Sequence, residues 1–142
     1  MEDFSINCIT PNLLLNQPRV YLEHLNYCIY NNIEMKEQIN LKIYETWYSN
    51  HLMCLSYLVG DYKNQNISNT SCNFYGFNRS IDENLGIDIL TALVVLGVDI
   101  YSTNYYGDDV FASLNRENVL SERINNKKFK NAVFNLKRCS SP

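Results

Sequence analysis

Residues 81–101 have the sequence IDENLGIDILTALVVLGVDIY, and between Asp88 and Asp99 the side chains are apolar almost throughout. A helix that is apolar on every side is normally enclosed by other elements. The run is too short to cross a bilayer, which needs about 20 apolar residues. It is also longer than strands usually are, although its β-branched residues would suit a buried strand. The run therefore predicts a buried central helix near residues 84–101.

The start of this helix carries its own signals. Either Asp82 or Asn84 can cap it, because short polar side chains accept hydrogen bonds from the free amides of a first helical turn. Glu83 adds a favourable charge near the positive end of the helix dipole.

Amphipathic patterns precede the central run. Apolar residues recur at three- and four-residue steps over residues 18–32, and Pro18 suits a first helical turn. Steps of four then run from Met35 to Trp47, and further leucines follow over residues 52–59. These two patterns predict either one long helix or two short ones with a break near Ser49 and Asn50.

Polar and apolar segments alternate over the rest of the chain. Residues 60–80 are polar and predict a loop that carries an aromatic cluster. Asp108 and Asp109 predict the cap and first turn of a short helix that contains Phe111. Residues 129–136 predict a last amphipathic helix with lysines on its solvent side. We therefore expect an all-α protein with a single domain over residues 1–142.

Composition and charge narrow the class of protein. Of the 142 residues, 46% are hydrophobic and 19% are charged, which is typical of a folded chain. Residues 1–115 hold 5 Lys/Arg against 13 Asp/Glu, whereas residues 116–142 hold 7 Lys/Arg against 2 Asp/Glu. A basic end can contact nucleic acid or anionic lipid. A solvated helix face, or attraction to the acidic body, explains it equally well.

Residue types that usually carry chemistry are scattered in this chain. The five cysteines form no CxxC pair, which argues against a zinc or redox motif and favours reduced thiols in a cytosolic setting. His24 and His51 have no metal-ligating neighbour at a useful spacing. Glycine-rich phosphate loops and hydrolase motifs are absent from the sequence. We expect a protein that is not an enzyme and needs no metal or cofactor.

The opening of the central run resembles a known family motif. Asn84-Leu85-Gly86-Ile87 is similar to the Asn-Trp-Gly-Arg start of the first homology region of the Bcl-2 family, in which it also opens a buried central helix. Asn84 and Gly86 coincide, Leu85 and Ile87 differ, and the signature of the second homology region is lacking. The order of helices over residues 18–115 fits as well. With 21 asparagines, typical of AT-rich coding sequences, the chain resembles a Bcl-2 homologue of a large DNA virus.

The resemblance implies a function and a site. Bcl-2-like proteins inhibit apoptosis by holding the BH3 helix of pro-apoptotic partners in an apolar groove. Asn84 would then cap the central helix, and Gly86, which has no side chain, would let the ligand backbone come close. A larger residue in place of Gly86 would then weaken ligand binding while the protein stays folded. Ile87 stands where the family has the arginine that pairs with a ligand aspartate, which implies a narrower choice of ligands. Pattern and resemblance together give these groove residues: Trp47, Tyr48, Leu52, Leu55, Phe74, Phe77, Asn84, Gly86 and Ile87.

Two other hypotheses remain open at this point. The same fold could serve a viral adaptor that blocks innate immune signalling through another surface. The basic segment after residue 115 could instead make the chain a nucleic-acid-binding accessory protein. The leading hypothesis predicts the BH3 motif as partner and no nucleic acid. It predicts the host cytoplasm, or the periphery of mitochondria, as location, without a transmembrane anchor. It does not decide between a monomer and a homodimer.

Overall fold

Helices make up most of the structure. The computed structural model describes residues 6–41, 50–62, 81–120 and 123–140. Two-residue strands β1 (Asp61–Tyr62) and β2 (Arg123–Ile124) pair antiparallel. The all-α prediction is confirmed for the described chain apart from this short ladder. The helices are a 3-10 turn at Ile6–Cys8, α1 (Pro11–Asn16), α2 (Pro18–Tyr30), α3 (Lys36–Ile39), α4 (His51–Ser56), α5 (Glu83–Val95), α6 (Val110–Leu120) and α7 (Lys127–Ser140).

Prolines and polar caps set the helix starts. Thr10 caps α1, where its hydroxyl oxygen accepts a hydrogen bond from the Leu13 amide at 3.1 Å. Pro18 begins α2 as predicted, because a first-turn residue needs no amide hydrogen. Asp109 caps α6 by accepting from the Ala112 amide at 2.9 Å, so the cap is the second aspartate of the pair.

Helix α4 is the most enclosed helix of the described chain. All 6 of its residues are buried, with exposed fractions between 0% and 2%. It begins at the predicted break, because the Asn50 side-chain oxygen accepts from the Met53 amide at 3.2 Å. The structure thus has a separate short helix α4 rather than a continuation of α3.

Helix α5 departs from the predicted central helix in length and in burial. It ends at Val95 because Gly97 adopts a φ of 93° that L side chains avoid, and the Val98 amide donates to the Leu93 carbonyl at 3.0 Å. One face packs against α2, α4 and α7. The other face is open to solvent, with Val95 62% exposed. The prediction of a helix over residues 84–101 that is enclosed on all sides was therefore wrong.

Polar side chains fasten distant segments to α5. The Glu83 carboxylate accepts from the backbone amides of Lys128 at 2.7 Å and Phe129 at 3.2 Å, and so caps the start of α7. At the other end, the Asn50 amide group donates to Asn40 Oδ1 at 3.2 Å and to the Asp99 carbonyl at 2.8 Å. These bonds hold both ends of α5 in place.

The core lies where α1, α2, α4, α5 and α7 meet. Ile81 precedes α5 and pairs with Val59 in a parallel bridge, and its amide donates to the Leu58 carbonyl at 2.7 Å. The two ends of the segment predicted as a loop are therefore neighbours in the core, and residues 63–80 of that prediction lie outside the described residues. The largest side chains with less than 2% exposure are Tyr21, Phe129, Ile9, Leu14, Leu25, Met35, Ile39, Leu52, Met53, Leu55 and Ile89.

Candidate functional site

The predicted groove residues do not form one exposed surface in the described chain. Trp47, Tyr48, Phe74 and Phe77 lie outside the described residues. Leu52 and Leu55 belong to the enclosed helix α4 and are 1% and 0% exposed. As they stand, these two leucines are core residues, and a ligand could reach them only if the core opened.

The two positions that carry the family resemblance have structural roles that differ from the prediction. Asp82 caps α5, with its carboxylate accepting from the Asn84 and Leu85 amides at 3.1 and 3.3 Å, whereas Asn84 is exposed in the first turn. Gly86 is buried, and a Cβ added there would lie 2.6 Å from a methyl carbon of Val59. Gly86 thus serves a close approach within the chain itself. The expectation that it faces a ligand and tolerates a bulky side chain was wrong.

Ile87 lies at the edge of the open face of α5. It is partly buried and packs against the core, while Thr91, Val94 and Val95 beyond it are exposed. Steps of three, four and seven place residues on one side of a helix. Asn84, which is exposed three residues before Ile87, and Ile87 itself are therefore the predicted groove residues on this face.

A cleft of about 330 Å³ adjoins the end of this face. Its walls come from the last turn of α2, the segment before α3 and the last turn of α5, and we call it the α2–α5 cleft. Met35 is 1% exposed, whereas Val95 is 62% exposed. The cleft is therefore a depression with a mixed polar and apolar lining, and its apolar residues adjoin the exposed side chain of Val95. Its lining residues are Cys28, Ile29, Asn32, Ile33, Glu34, Met35, Val95 and Leu96.

The polar groups of this cleft are suited to binding more than to bond breaking. Burial raises the pKa of the Cys28 thiol, which keeps it protonated and weakly nucleophilic at neutral pH. The Glu34 carboxylate accepts a hydrogen bond from the Lys36 amide at 2.8 Å. The lining therefore offers aliphatic contact area and one carboxylate.

A hydrogen-bonded pair of polar side chains, Tyr21 and His51, lies inside the core. The Tyr21 hydroxyl lies 2.6 Å from Nδ1 of His51 and donates to it when the ring carries its proton on Nε2. Burial lowers the pKa of His51 to about 4. Burial, and then the nearby Cys54, raise the pKa of Tyr21. Because all three side chains are at most 2% exposed, this group can reach a substrate only if the core opens, and its geometry is that of a structural contact.

The connection between α5 and α6 displays three exposed tyrosines, Tyr101, Tyr105 and Tyr106. We call residues 101–107 the tyrosine turn. Its anchor is Asn104, 5% exposed, whose side-chain oxygen accepts from the Tyr106 amide at 2.9 Å and the Asp108 amide at 3.0 Å. Gly107 closes the turn with a φ of 84°.

The described chain gives no sign of a metal centre or a membrane span. Among its histidines, cysteines and carboxylates, no three are grouped so that they could hold a metal ion. None of its helices is long and apolar enough to cross a membrane. Comparison with protein families, curated proteins and solved structures found no match to this chain.

Proposed function

We propose that this chain is a helical protein-binding domain that takes an amphipathic helix of a partner into the α2–α5 cleft. The observation that carries the proposal is the cleft itself, in which Ile29, Ile33 and Leu96 line a depression together with exposed Val95. Solvent-exposed aliphatic side chains beside a depression are the usual anchoring points for the apolar side of a ligand helix.

The open face of α5 extends the proposed surface. Ile87, Thr91, Val94 and Val95 follow one another along about two turns of this face. A ligand helix lying along it would place apolar residues at steps of three and four against this strip. Each aliphatic side chain that is covered contributes about 1 kcal/mol or more, by the usual area relation.

The ligand that we propose is the BH3 helix of pro-apoptotic Bcl-2 proteins, which would make the chain an apoptosis inhibitor of the Bcl-2 type. Support for this choice comes from the sequence resemblance at Asn84 and Gly86 and from the amphipathic nature of the BH3 helix. The surface differs from the family pattern, because Ile87 replaces the arginine and the neighbouring Asp88 is exposed. A ligand aspartate would meet a carboxylate there, so we expect preference for BH3 helices with a basic or neutral residue nearby.

Titration calorimetry with a panel of BH3 peptides tests the proposal. Val95→Glu should lower the affinity for the tightest-binding peptide at least about tenfold, because the bound peptide would bury the new charge at Val95. Leu41→Glu is the matched control, since Leu41 is 63% exposed against 62% for Val95 and does not line the cleft. Equal affinities of the two variants, or no binding of any BH3 peptide at micromolar concentration, would rule out the proposed ligand or its place.

A nucleic-acid function is the second candidate, because α7 exposes several cations. Lys127, Lys128, Lys137 and Arg138 are all exposed, whereas Lys130 is partly buried. Phosphate contacts weaken steeply as salt rises. The test is binding of a labelled oligonucleotide at low and at physiological salt. This candidate is favoured over the first if the affinity falls sharply as salt rises and is lost in the double variant Lys127→Ala, Lys128→Ala.

A further inference from the structure

The tyrosine turn presents aromatic rings to solvent on a fixed backbone. Tyr105 is 77% exposed, Tyr106 58% and Tyr101 48%. Tyr105 and Tyr106 meet edge to face with their ring centres 5.6 Å apart. Tyr101 instead packs its ring 5.9 Å from that of Phe111. Exposed aromatic rings that are already held in place lose little entropy on binding, which is why tyrosine is frequent at binding surfaces.

The backbone of the turn is held by buried groups. Asn104 donates its backbone amide to the Asp108 carbonyl at 2.8 Å, and the Gly107 amide donates back to the Asn104 carbonyl at 3.0 Å. The Asn104 side chain also reaches the buried sulfur of Met53 at 3.6 Å. The exposed rings therefore stand on a turn whose centre is anchored in the core.

The surroundings of the turn are acidic. Residues 97–109 contain Asp99, Asp108 and Asp109 and no lysine or arginine. Asp99 is exposed and accepts from the Tyr101 amide at 2.9 Å. This bond to a neutral backbone amide leaves the negative charge of Asp99 in place. Positive charge on a partner that lies over the turn is therefore favourable.

Two lysines lie at the edges of this connection. The stem of Lys36 lies against Gly97, with its Cγ 3.3 Å from the position that a Cβ would take. The Lys137 ammonium lies over the Phe111 ring, 5.1 Å from its centre. Lys137 already shows, within the chain, how a cation sits on an aromatic ring of this region.

We propose that the tyrosine turn is a second protein-binding surface whose partner is a basic segment bearing arginine. A guanidinium group is planar, so it stacks on a tyrosine ring and at the same time donates hydrogen bonds to a carboxylate. A lysine ammonium is more strongly hydrated and has no flat face to stack. Nucleic acid is disfavoured here, because its phosphates would meet three aspartates of like charge.

The test uses fluorescence anisotropy with two labelled peptides of equal charge, one of alternating arginine and glycine and one of alternating lysine and glycine. The arginine peptide should bind at least about threefold more tightly than the lysine peptide. The double variant Tyr105→Ala, Tyr106→Ala should lower the affinity for the arginine peptide about tenfold, since two ring contacts are removed. Tyr105→Phe, Tyr106→Phe should bind within about twofold of the wild-type chain, because the rings remain.

Tyr30→Ala is the matched control, because Tyr30 is 88% exposed and belongs to α2 rather than to the turn. It should leave the affinity unchanged. Circular dichroism checks that each variant is folded, and Tyr105→Ala alone replaces the double variant if that variant is not. Equal affinity for the two peptides, equal loss in Tyr30→Ala, or no binding of the arginine peptide would each overturn the proposal. Because none of these variants touches the α2–α5 cleft, BH3-peptide affinity reports separately on the proposed function.

Discussion

Replacing Gly86 with alanine should destabilise the protein, although the same change in an ordinary helix stabilises it. Alanine is favoured over glycine in a helix interior by about 1 kcal/mol. Here the new Cβ would lie 2.6 Å from one methyl carbon of Val59 and 3.2 Å from the other. Val59 is 0% exposed and β-branched, so it has little freedom to move aside. Overpacking of this kind costs about 1–3 kcal/mol, and subtracting the helix gain of about 1 kcal/mol leaves a net loss of up to about 2 kcal/mol.

A double-mutant cycle makes this prediction specific to the contact. Val59→Ala alone should cost about 2 kcal/mol, because it leaves a cavity in the core. In that background the methyl group of Gly86→Ala fills space, so the substitution should now stabilise by about 1 kcal/mol. Urea unfolding followed by circular dichroism gives all four free energies. If Gly86→Ala raises the stability of the wild-type chain, Gly86 faces open space, and the packing of α5 on Val59 described above is wrong.

Three further predictions concern buried groups. The pKa of His51 is about 4 when folded against an ordinary value of 6.5, so protonation favours unfolding and about 3 kcal/mol of stability should be lost as pH falls from 6.5 to 4. Urea titrations should show a smaller loss in Tyr21→Phe, His51→Leu. Asn50→Ala should cost about 3 kcal/mol by removing a cap and two donors, and Asn50→Asp should cost at least as much by the same assay, because it places a buried carboxylate oxygen against the Asn40 and Asp99 oxygens. Leu93→Asp should abolish soluble folded protein on expression, while Val95→Asp should melt within a few degrees of the wild-type chain.

Local signals in the sequence predicted the starts of α2 and α4, but no helix was predicted at Pro11–Asn16. Pro18 placed the start of α2, and Asn50 placed the break before α4, because both act within one helical turn. The end of α5 was predicted too far along the chain. Gly97 was counted as part of the apolar run, although a glycine in the left-handed region is a common helix stop.

Burial was harder to predict than helicity, because it depends on which neighbours a helix meets. The apolar run of α5 suggested enclosure on all sides, yet its Val95 edge is open. The less continuous pattern of α4 gave no hint that His51 and Ser56 are buried as completely as its leucines. His51 bonds to Tyr21, which only the tertiary fold brings near. Ser56 donates to the Met53 carbonyl, which lies one helical turn earlier.

The candidate site, like burial, depends on tertiary neighbours that the sequence does not show. The α2–α5 cleft joins segments that are 60 or more residues apart in sequence, so no local pattern could have indicated it. The motif positions Asn84 and Gly86 were identified, but their roles were assigned by resemblance. The structure gives the cap to Asp82 and the space beside Gly86 to Val59.

Amide chemical-shift mapping with a BH3 peptide tests the central claim most directly. Spectra of the ¹⁵N-labelled chain, recorded as the peptide is added, report which backbone amides sense the ligand. We predict the largest shifts at Ile29, Ile33, Val95 and Leu96, followed by the open face of α5, and little change in α7. Shifts that are absent at saturating peptide, or that are largest at the exposed lysines of α7, would contradict the assignment of the α2–α5 cleft as the binding site.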